Sequence, residues 1–267
     1  MKHEHSLDTL CGALANAMGI ESPACAADPS EALCRYVEQA FGGEHADRIF
    51  MYNPDAIGTW IYQKYPHLVW EVKAKAGIEL PFCTVMPSVT PVCFGTMYTG
   101  AQPAVHGIQK YEKPVITIDT LFDALIRCGK KPVIVAQKGC SMAYIFQNRK
   151  MDYFIYDTIA ETNAKTAELI LEDQYDFIAL YHGNYDDVMH KNGPESIDSL
   201  AELRLNSQAF ATFCDMIEAH WKHHNTLVGF AMDHGCHEID GGCGSHGLDM
   251  EEDLNITHLY RAYPKQN

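Results

Sequence analysis

Short runs of β-branched, aliphatic and aromatic residues alternate along the chain with segments in which apolar residues recur at helical spacing. The strand-like runs cover residues 48–52, 82–86, 132–136, 153–156, 177–181 and 227–232. Alternation of this kind predicts an α/β fold with a mostly parallel central sheet and helices on both faces. The connections between parallel strands are expected to be right-handed.

The segment after Asp119 illustrates how a helix is predicted from this pattern. Asp119 stands where an N-cap residue is expected, and Gly129 stands where the helix would end before the next strand. The apolar stripe between them consists of Leu121, Phe122, Leu125 and Ile126.

The first 45 residues contain two helical segments, residues 6–18 and 30–41, separated by the stretch SPACAADPS. We expect residues 1–45 to form an N-terminal helical extension, either a lid or an added helical layer, and not an independent domain. Residues 46–267 are expected to form one domain, since no internal repeat or linker interrupts them.

Composition and charge narrow the classes of function. The 267 residues carry a formal net charge of −15. Binding of a nucleic-acid polymer needs clustered lysines and arginines, so no such partner is expected. An acidic protein can still take a phosphorylated substrate where bound metal ions invert the local charge.

The sequence also bears on compartment. No apolar run approaches the roughly 20 residues needed to span a bilayer. The opening MKHEHSLDTL lacks the basic start and apolar centre of a signal peptide. We therefore expect a cytoplasmic protein with no membrane partner, in which the ten scattered cysteines are free thiols.

The segment MPSVTPVCFGTMYTGAQPAVHGI, residues 86–108, places a hydroxyl where a phosphate could bind. Thr90 is a good N-cap residue, Pro91 suits the first helical position, and Gly100 marks the end of the helix. The unpaired N–H groups and partial positive charge of a helix N-terminus favour an anion beside Thr90. The simpler interpretation is that Thr90 only caps the helix.

Potential ligands follow four of the predicted strands, and ligands collect at the carboxyl ends of strands in open parallel sheets. Asp55 follows the first run, Thr90 the second, HGNYDDVMH the run 177–181, and Asp233 with His234 the run 227–232. Taken singly, each has an ordinary explanation, such as a turn residue or a solvated loop acid. Their joint position at one edge favours a metal site.

The segment NYDDVMHKNGP offers two metal ligands if it is helical. Asp186 and His190 are four residues apart, so a helix places both side chains on one face and turns Asp187 elsewhere. Asp233 would be poorly solvated after an apolar strand unless it bonds a backbone group or a cation. The glycine-rich GGCGSHG supplies His246 on a backbone that can turn back toward the site.

Five motifs span residues 48–247 in a recognisable order. They are Asp55 after a strand, Thr90 in PSVTP with TG and HGI downstream, the D-x-x-x-H of Asp186 and His190, the DHG of residues 233–235, and the GSHG that contains His246. In this order they resemble the type I phosphodiesterase and nucleotide pyrophosphatase branch of the alkaline phosphatase superfamily. A lone DHG would say little, whereas the ordered set is specific.

The resemblance implies an alkaline phosphatase-like fold with residues 46–267 as the catalytic domain and with two divalent metal ions beside the nucleophile. The implied ligands of one ion are Asp55, Thr90, Asp233 and His234, and those of the other are Asp186, His190 and His246. This mixed oxygen and imidazole set favours Zn²⁺, with Mn²⁺ or iron as alternatives. Thr90 is the implied nucleophile, which forms a phosphothreonyl enzyme that water then hydrolyses.

We predict a metal-dependent hydrolase that acts on a small phosphodiester or pyrophosphate. Nucleotide pyrophosphatases commonly bind a phosphate oxygen with an Asn shortly after the nucleophile, and the spacing places Cys93 at that position. A neutral thiol is a weaker donor, so Cys93 argues against a nucleotide. The alternatives are a phosphonate hydrolase resembling phosphonoacetate hydrolases and a metal- or nucleotide-binding sensor without turnover. No oligomeric state is predicted.

Overall fold

Seven strands form one central sheet in the computed structural model, which describes residues 5–266. The strands of the chain are β1 (Arg48–Pro54), β2 (Ile78–Cys83), β3 (Pro132–Gln137), β4 (Asp152–Tyr156), β5 (Phe177–His182), β6 (Thr226–Phe230), β7 (His237–Ile239), β8 (Cys243–Ser245) and β9 (Asn255–Tyr263). The order in the central sheet is β2-β9-β6-β1-β5-β3-β4, and β7 pairs with β8 in a separate two-stranded sheet.

Strands β6, β1, β5, β3 and β4 are parallel neighbours, whereas β9 runs antiparallel to both β6 and β2. The predicted mostly parallel sheet is therefore confirmed. The register aligns Asn53 with Tyr181 and Tyr52 with Phe230, so the carboxyl ends of β1, β5 and β6 meet at one edge of the sheet.

Twelve helices complete the described part of the chain. They are α1 (Thr9–Ala17), α2 (Glu31–Phe41), α3 (Thr59–Lys64), α4 (Trp70–Lys75), α5 (Thr90–Thr99), α6 (Pro103–His106), α7 (Leu121–Arg127), α8 (Ser141–Ile145), α9 (Ile159–Glu172), α10 (Asn184–Asn192), α11 (Ile197–His220) and α12 (Glu251–Leu254). Helices pack on both faces of the sheet.

Side chains of β1 show that helices cover both faces. Phe50 packs against Phe213 of α11, with ring centroids 5.6 Å apart. Asn53 accepts a hydrogen bond of 2.7 Å from the Tyr98 hydroxyl of α5. Because successive residues of a strand point to opposite faces, positions 50 and 53 face opposite sides, and so do α11 and α5.

The N-terminal extension packs as an added helical layer. Its predicted helices, 6–18 and 30–41, are observed as α1 and α2, and α1 contacts α2, α5 and α7. Leu10 and Leu14 of α1 are fully buried in the core. The Leu7 N–H donates to the Cys83 carbonyl at 3.0 Å, which joins the extension to the end of β2.

The N-cap of α7 differs from the predicted one. Thr120, not Asp119, caps the helix, because its hydroxyl accepts from the Asp123 N–H while the Asp123 carboxylate accepts from the Thr120 N–H. Asp119 instead accepts hydrogen bonds of 2.5 and 2.9 Å from the Arg127 guanidinium. The predicted helix end is confirmed, with Gly129 in a left-handed conformation of φ 74° just beyond it.

Two strands also differ from the predicted set. β2 covers Ile78–Cys83 instead of residues 82–86, because β9 provides backbone partners only for residues 78–83. Pro81 is tolerated there because β2 is an edge strand, where one N–H can go unused. β9 is absent from the predicted strands and supplies the antiparallel member of the sheet.

Two further findings concern the whole of the described chain. Within residues 5–266, no helix combines the length and apolar character required to cross a membrane. All ten cysteines are unpaired thiols.

Candidate metal centre

The seven residues predicted to hold metal ions lie at the edge where the parallel strands end. They are Asp55 after β1, Thr90 at the start of α5, Asp186 and His190 on α10, Asp233 and His234 after β6, and His246 after β8. The structure brings six of them into two adjoining clusters, each able to hold one ion, and places Thr90 beside Asp55 and His234. The clusters meet where the His234 and His246 rings approach, with centroids 4.1 Å apart.

Thr90 is the first residue of α5, and Val89 takes the N-cap position. The predicted capping role of Thr90 is therefore wrong, since its side chain makes no cap hydrogen bond. Its buried hydroxyl lies 3.3 and 3.4 Å from the two carboxylate oxygens of Asp55 and 3.3 Å from Nε2 of His234. The predicted end of the helix at Gly100 is confirmed, with φ 69°.

The N-terminus of α5 has fewer free donors than the sequence suggests. Pro91 carries no N–H, and the N–H groups of Val92 and Cys93 both donate to the Val89 carbonyl at 3.0 Å. An anion beside Thr90 therefore gains little from these backbone groups, and its charge must be met by other groups.

We call Asp55, Asp233 and His234 the threonine-side cluster. All three side chains are buried, with exposed fractions of at most 1%. Nε2 of His234 lies 3.3 Å from Oδ1 of Asp55 and 3.3 Å from Oδ2 of Asp233. Oδ2 of Asp233 is buried without a hydrogen-bond partner. A buried, unpartnered carboxylate oxygen beside an imidazole nitrogen is a donor set that suits a divalent cation.

We call Asp186, His190 and His246 the α10-side cluster. The predicted helix over Asp186 and His190 is confirmed and puts both on one face of α10. Oδ1 of Asp186 lies 3.2 Å from Nε2 of His190 and 3.3 Å from Nε2 of His246, yet neither contact has hydrogen-bond geometry. The two Nε2 atoms are 3.2 Å apart.

Backbone carbonyls set the tautomer of all three histidines. The Nδ1 atoms of His190, His234 and His246 lie 3.0, 2.9 and 3.1 Å from the carbonyl oxygens of Gly244, Gly235 and Ser88. A carbonyl only accepts, so each Nδ1 carries the donated hydrogen and each neutral ring turns its Nε2 lone pair toward its cluster. This is the arrangement that orients histidines as metal ligands.

The spacing within both clusters fits tetrahedral coordination. Ligand atoms on zinc at about 2.0 Å lie about 3.3 Å from one another when the geometry is tetrahedral. The observed separations among nitrogen and oxygen atoms of the clusters, with Thr90 included in the first, are 3.2 to 3.4 Å. The residues present therefore fit a pair of divalent cations.

Burial makes the threonine-side cluster unfavourable without a cation. Burial raises the pKa of Asp55 to about 7, and the charge of Asp186 adds to the rise. Burial and the charge of Asp55 raise the pKa of Asp233 well above its usual value. Burial lowers the pKa of His234 to about 3, so the imidazole is neutral. Within residues 5–266 neither carboxylate pairs with a lysine or arginine, so a divalent cation among these side chains would supply the opposing charge.

The charge of Asp186 dominates the pKa values in the α10-side cluster. Contact with Asp186 raises the pKa of His190 to about 9. Burial opposes a rise in the pKa of His246, but contact with Asp186 outweighs it and the pKa is raised. Burial alone would raise the pKa of Asp186, and the two histidines instead hold that pKa below its usual range.

Tyr181 is a contact that sequence reasoning missed. The hydroxyl of this buried residue at the end of β5 donates a hydrogen bond of 2.5 Å to Oδ2 of Asp55. The ring of Tyr181 packs against Phe94, with centroids 5.7 Å apart. Its position opposite Asn53 in the β1–β5 register is the feature that carries the hydroxyl to Asp55.

A polar cavity of about 230 Å³ opens beside Thr90, and we call it the Thr90 pocket. Its wall includes Asp55, Thr90, Tyr181, Asp186, Tyr111 and Lys113. The described residues 5–45 contribute nothing to this wall.

Cys93, the predicted phosphate contact, does not reach the pocket. The residue is fully buried, and its Sγ accepts a hydrogen bond of 3.2 Å from the Thr84 hydroxyl. Every residue of α5 is buried, and Thr90 lines the pocket whereas Cys93 does not.

A comparison of the sequence with protein families identifies one match. Residues 127–264, more than half of the chain, match the family described as Type I phosphodiesterase / nucleotide pyrophosphatase. The α10-side cluster, Asp233 and His234 lie inside this span, whereas Asp55 and Thr90 precede it. No curated protein sequence matches the chain.

Solved structures with a similar fold include human ectonucleotide pyrophosphatase / phosphodiesterase 5, with 12% identity, a TM-score of 0.63, and coverage of 82% of this chain and 90% of that chain. An inactive variant of the murine protein in complex with AMP is 16% identical, with a TM-score of 0.57. The match covers 73% of this chain and 59% of that chain. Phosphonoacetate hydrolase from Sinorhizobium meliloti 1021 in complex with phosphonoformate is 16% identical, with a TM-score of 0.56. The match covers 74% of this chain and 59% of that chain.

At these identities the likeness concerns the fold, which is alkaline phosphatase-like as predicted. The chain spans less than two thirds of the murine protein and of the phosphonoacetate hydrolase.

Proposed function

The chain belongs to the type I phosphodiesterase / nucleotide pyrophosphatase family, and on this premise we propose that it is a metal-dependent hydrolase of a small phosphodiester or pyrophosphate. The observation that carries the proposal is the position of the Thr90 hydroxyl at the carboxyl edge of the sheet. It lies 3.3 to 3.4 Å from the carboxylate oxygens of Asp55 and from Nε2 of His234. No lysine or arginine in the described chain competes for these carboxylates.

Two sets of residues would hold the ions. Asp55, Thr90, Asp233 and His234 would hold one divalent cation, and Asp186, His190 and His246 would hold the second. Zn²⁺ suits carboxylate and imidazole donors at tetrahedral spacing, and Mn²⁺ or iron can accept the same donors. Bound there, the cations supply Lewis-acid stabilisation of the negative charge on the attacking and leaving oxygens.

Thr90 acts as the nucleophile. Its hydroxyl loses a proton to solvent, and Oγ1 bonds to phosphorus in line as the bond to the leaving oxygen breaks. The leaving oxygen takes up a proton from solvent, and the phosphoryl group remains on Thr90. Tyr181 holds the Asp55 carboxylate through its 2.5 Å hydrogen bond, which keeps Asp55 in place beside Thr90.

Water completes the reaction from the side that the leaving group vacated. The oxygen of water bonds to phosphorus, the Oγ1–phosphorus bond breaks, and Thr90 recovers its hydroxyl with a proton from that water. The retained phosphoryl group leaves as the second product. The ten unpaired thiols favour a reducing compartment such as the cytoplasm for this activity.

A phosphonate hydrolase is the second candidate function. The small polar Thr90 pocket favours it, since a cavity of about 230 Å³ suits a compact phosphonate as well as a compact ester. Both functions use the same nucleophile and the same two clusters.

Chelation and a substrate pair test the proposal. Protein loaded with zinc is expected to release 4-nitrophenolate from bis(4-nitrophenyl) phosphate faster than from 4-nitrophenyl phosphate. Treatment with a chelator is expected to remove the activity, and added zinc to restore it, because the carboxylates and imidazoles alone cannot stabilise an alkoxide. Zinc-loaded, folded protein that is inactive on phosphodiesters, pyrophosphates and phosphonates would indicate a non-catalytic metal-binding protein instead.

A further inference from the structure

Two lysines, Lys113 and Lys138, line the Thr90 pocket, and the proposed chemistry uses neither of them. Lys113 lies in the irregular segment between α6 and α7 and is half-buried at the pocket wall. Its ammonium group donates a hydrogen bond of 2.6 Å to the Gly139 carbonyl, and Gly139 lines the same pocket. The ammonium also lies 5.3 Å from the centroid of the Tyr111 ring. These contacts hold the charge at the wall.

Lys113 differs from the neighbouring lysines because it has no carboxylate partner among residues 5–266. Lys110 pairs with Glu112 at 3.3 Å, and Lys138, whose side chain is 75% exposed, lies 3.8 Å from Asp157. One neutral carbonyl uses one of the three ammonium donors of Lys113, so two donors remain for a ligand.

The charge balance of the pocket makes this lysine significant. Three carboxylates, Asp55, Asp186 and Asp187, line the wall, and the formal charge of the chain is −15. The two proposed cations would face the reacting phosphoryl group, and the N-terminus of α5 offers few free N–H groups. Any further negative charge on a substrate therefore needs a cation of its own at the wall.

The size of the pocket limits what the substrate can be. About 230 Å³ lies below the range of roughly 300–1,000 Å³ that encloses drug-sized ligands. The polar residues of the wall also offer little apolar surface for a nucleobase. The remaining space suits a few heavy atoms beside the phosphoryl group.

We propose that Lys113 binds a second anionic group of the substrate, so that the preferred substrates are small phosphoesters or phosphonates that carry a carboxylate or a second phosphoryl group. The proposal rests on the proposed function, because it assigns the phosphoryl group to Thr90 and the two clusters. Lys113 acts by binding and determines specificity.

Matched ligands test the proposal by direct calorimetric binding to the zinc-loaded protein. The carboxylate arm compares 3-phosphonopropanoate with its neutral carboxamide, and the phosphoryl arm compares 1,2-ethanediphosphonate with ethylphosphonate. We expect the ligand with two anionic groups to bind at least about tenfold more tightly than the matched ligand with one anionic group in at least one arm. A charge-assisted hydrogen bond from Lys113 predicts a difference of this size. The arm with the larger ratio identifies the anionic group.

Variants separate Lys113 from the rest of the pocket. Lys113→Met is expected to bring the affinity ratio of the matched ligands down to about one, while the ligands with one anionic group bind as before. Lys113→Arg is expected to keep most of the ratio. Lys110→Met is the control, because Lys110 pairs with Glu112 and is not among the residues that line the pocket, and its ratio should equal that of the parent. An unchanged ratio in Lys113→Met would overturn the proposal. Binding of the singly anionic phosphonates tests the phosphoryl site separately, and its absence in the parent would count against the proposed function itself.

Discussion

Replacement of Thr90 by alanine is expected to abolish hydrolysis, with kcat reduced about a thousandfold or more, because the alcohol that attacks phosphorus is removed. Thr90→Val is expected to have the same effect, since it keeps the branched shape without the hydroxyl. Thr90→Ser keeps a hydroxyl within reach of Asp55 and His234 and is expected to retain part of the activity. Steady-state release of 4-nitrophenolate by zinc-loaded protein measures all three variants.

The comparison of the three variants separates chemistry from folding. Thr90 is a buried residue at the start of α5, so each variant is also checked by its unfolding midpoint. A folded Thr90→Ala protein that hydrolyses the substrate as fast as the parent would refute the covalent route.

Loss of a ligand in the α10-side cluster is expected to remove one of about two bound divalent cations per chain while the fold persists. Asp186→Asn removes the carboxylate charge and His190→Gln removes the imidazole, and the ligand atoms of both side chains lie 3.2 to 3.3 Å from the other ligand atoms of the cluster. The threonine-side cluster keeps its own ligands and should still bind an ion. Mass-spectrometric metal analysis of dialysed protein gives the stoichiometry, and circular dichroism reports the fold.

Asp187→Asn is the matched control for these variants. Asp187 is the neighbour of Asp186 on α10 and lines the Thr90 pocket, but it belongs to neither cluster. Its substitution is expected to leave the metal content unchanged. Equal loss of metal in Asp187→Asn, or unfolding without a change of stoichiometry in Asp186→Asn, would indicate that the α10-side cluster is structural.

Much of the fold could be predicted because its parallel strands are buried apolar runs that alternate with helical segments. The exceptions arise where pairing with a distant strand determines the extent of a strand. Residues 82–86 look like a strand, yet pairing with β9 ends at Cys83 and leaves Thr84–Met86 outside β2. β9 follows the short α12 with no intervening turn signal, so nothing local marks its beginning.

The site could be predicted as far as its residues follow strand ends, because parallel strands bring their carboxyl ends to one edge. The contacts that orient those residues depend on distant backbone. The carbonyls of Gly244 and Ser88 fix the rings of His190 and His246, and no local pattern reveals such partners. Lys113 was missed for the same reason, since its acceptor Gly139 lies 26 residues away along the chain.

The central claim is that two adjoining clusters bind a pair of divalent cations beside the Thr90 hydroxyl. Anomalous X-ray diffraction from crystals grown with zinc tests it most directly. We expect two anomalous peaks, one among Asp55, Thr90, Asp233 and His234 and the other among Asp186, His190 and His246. Diffraction data with no peak at either cluster, or with zinc bound only elsewhere on the protein, would contradict it.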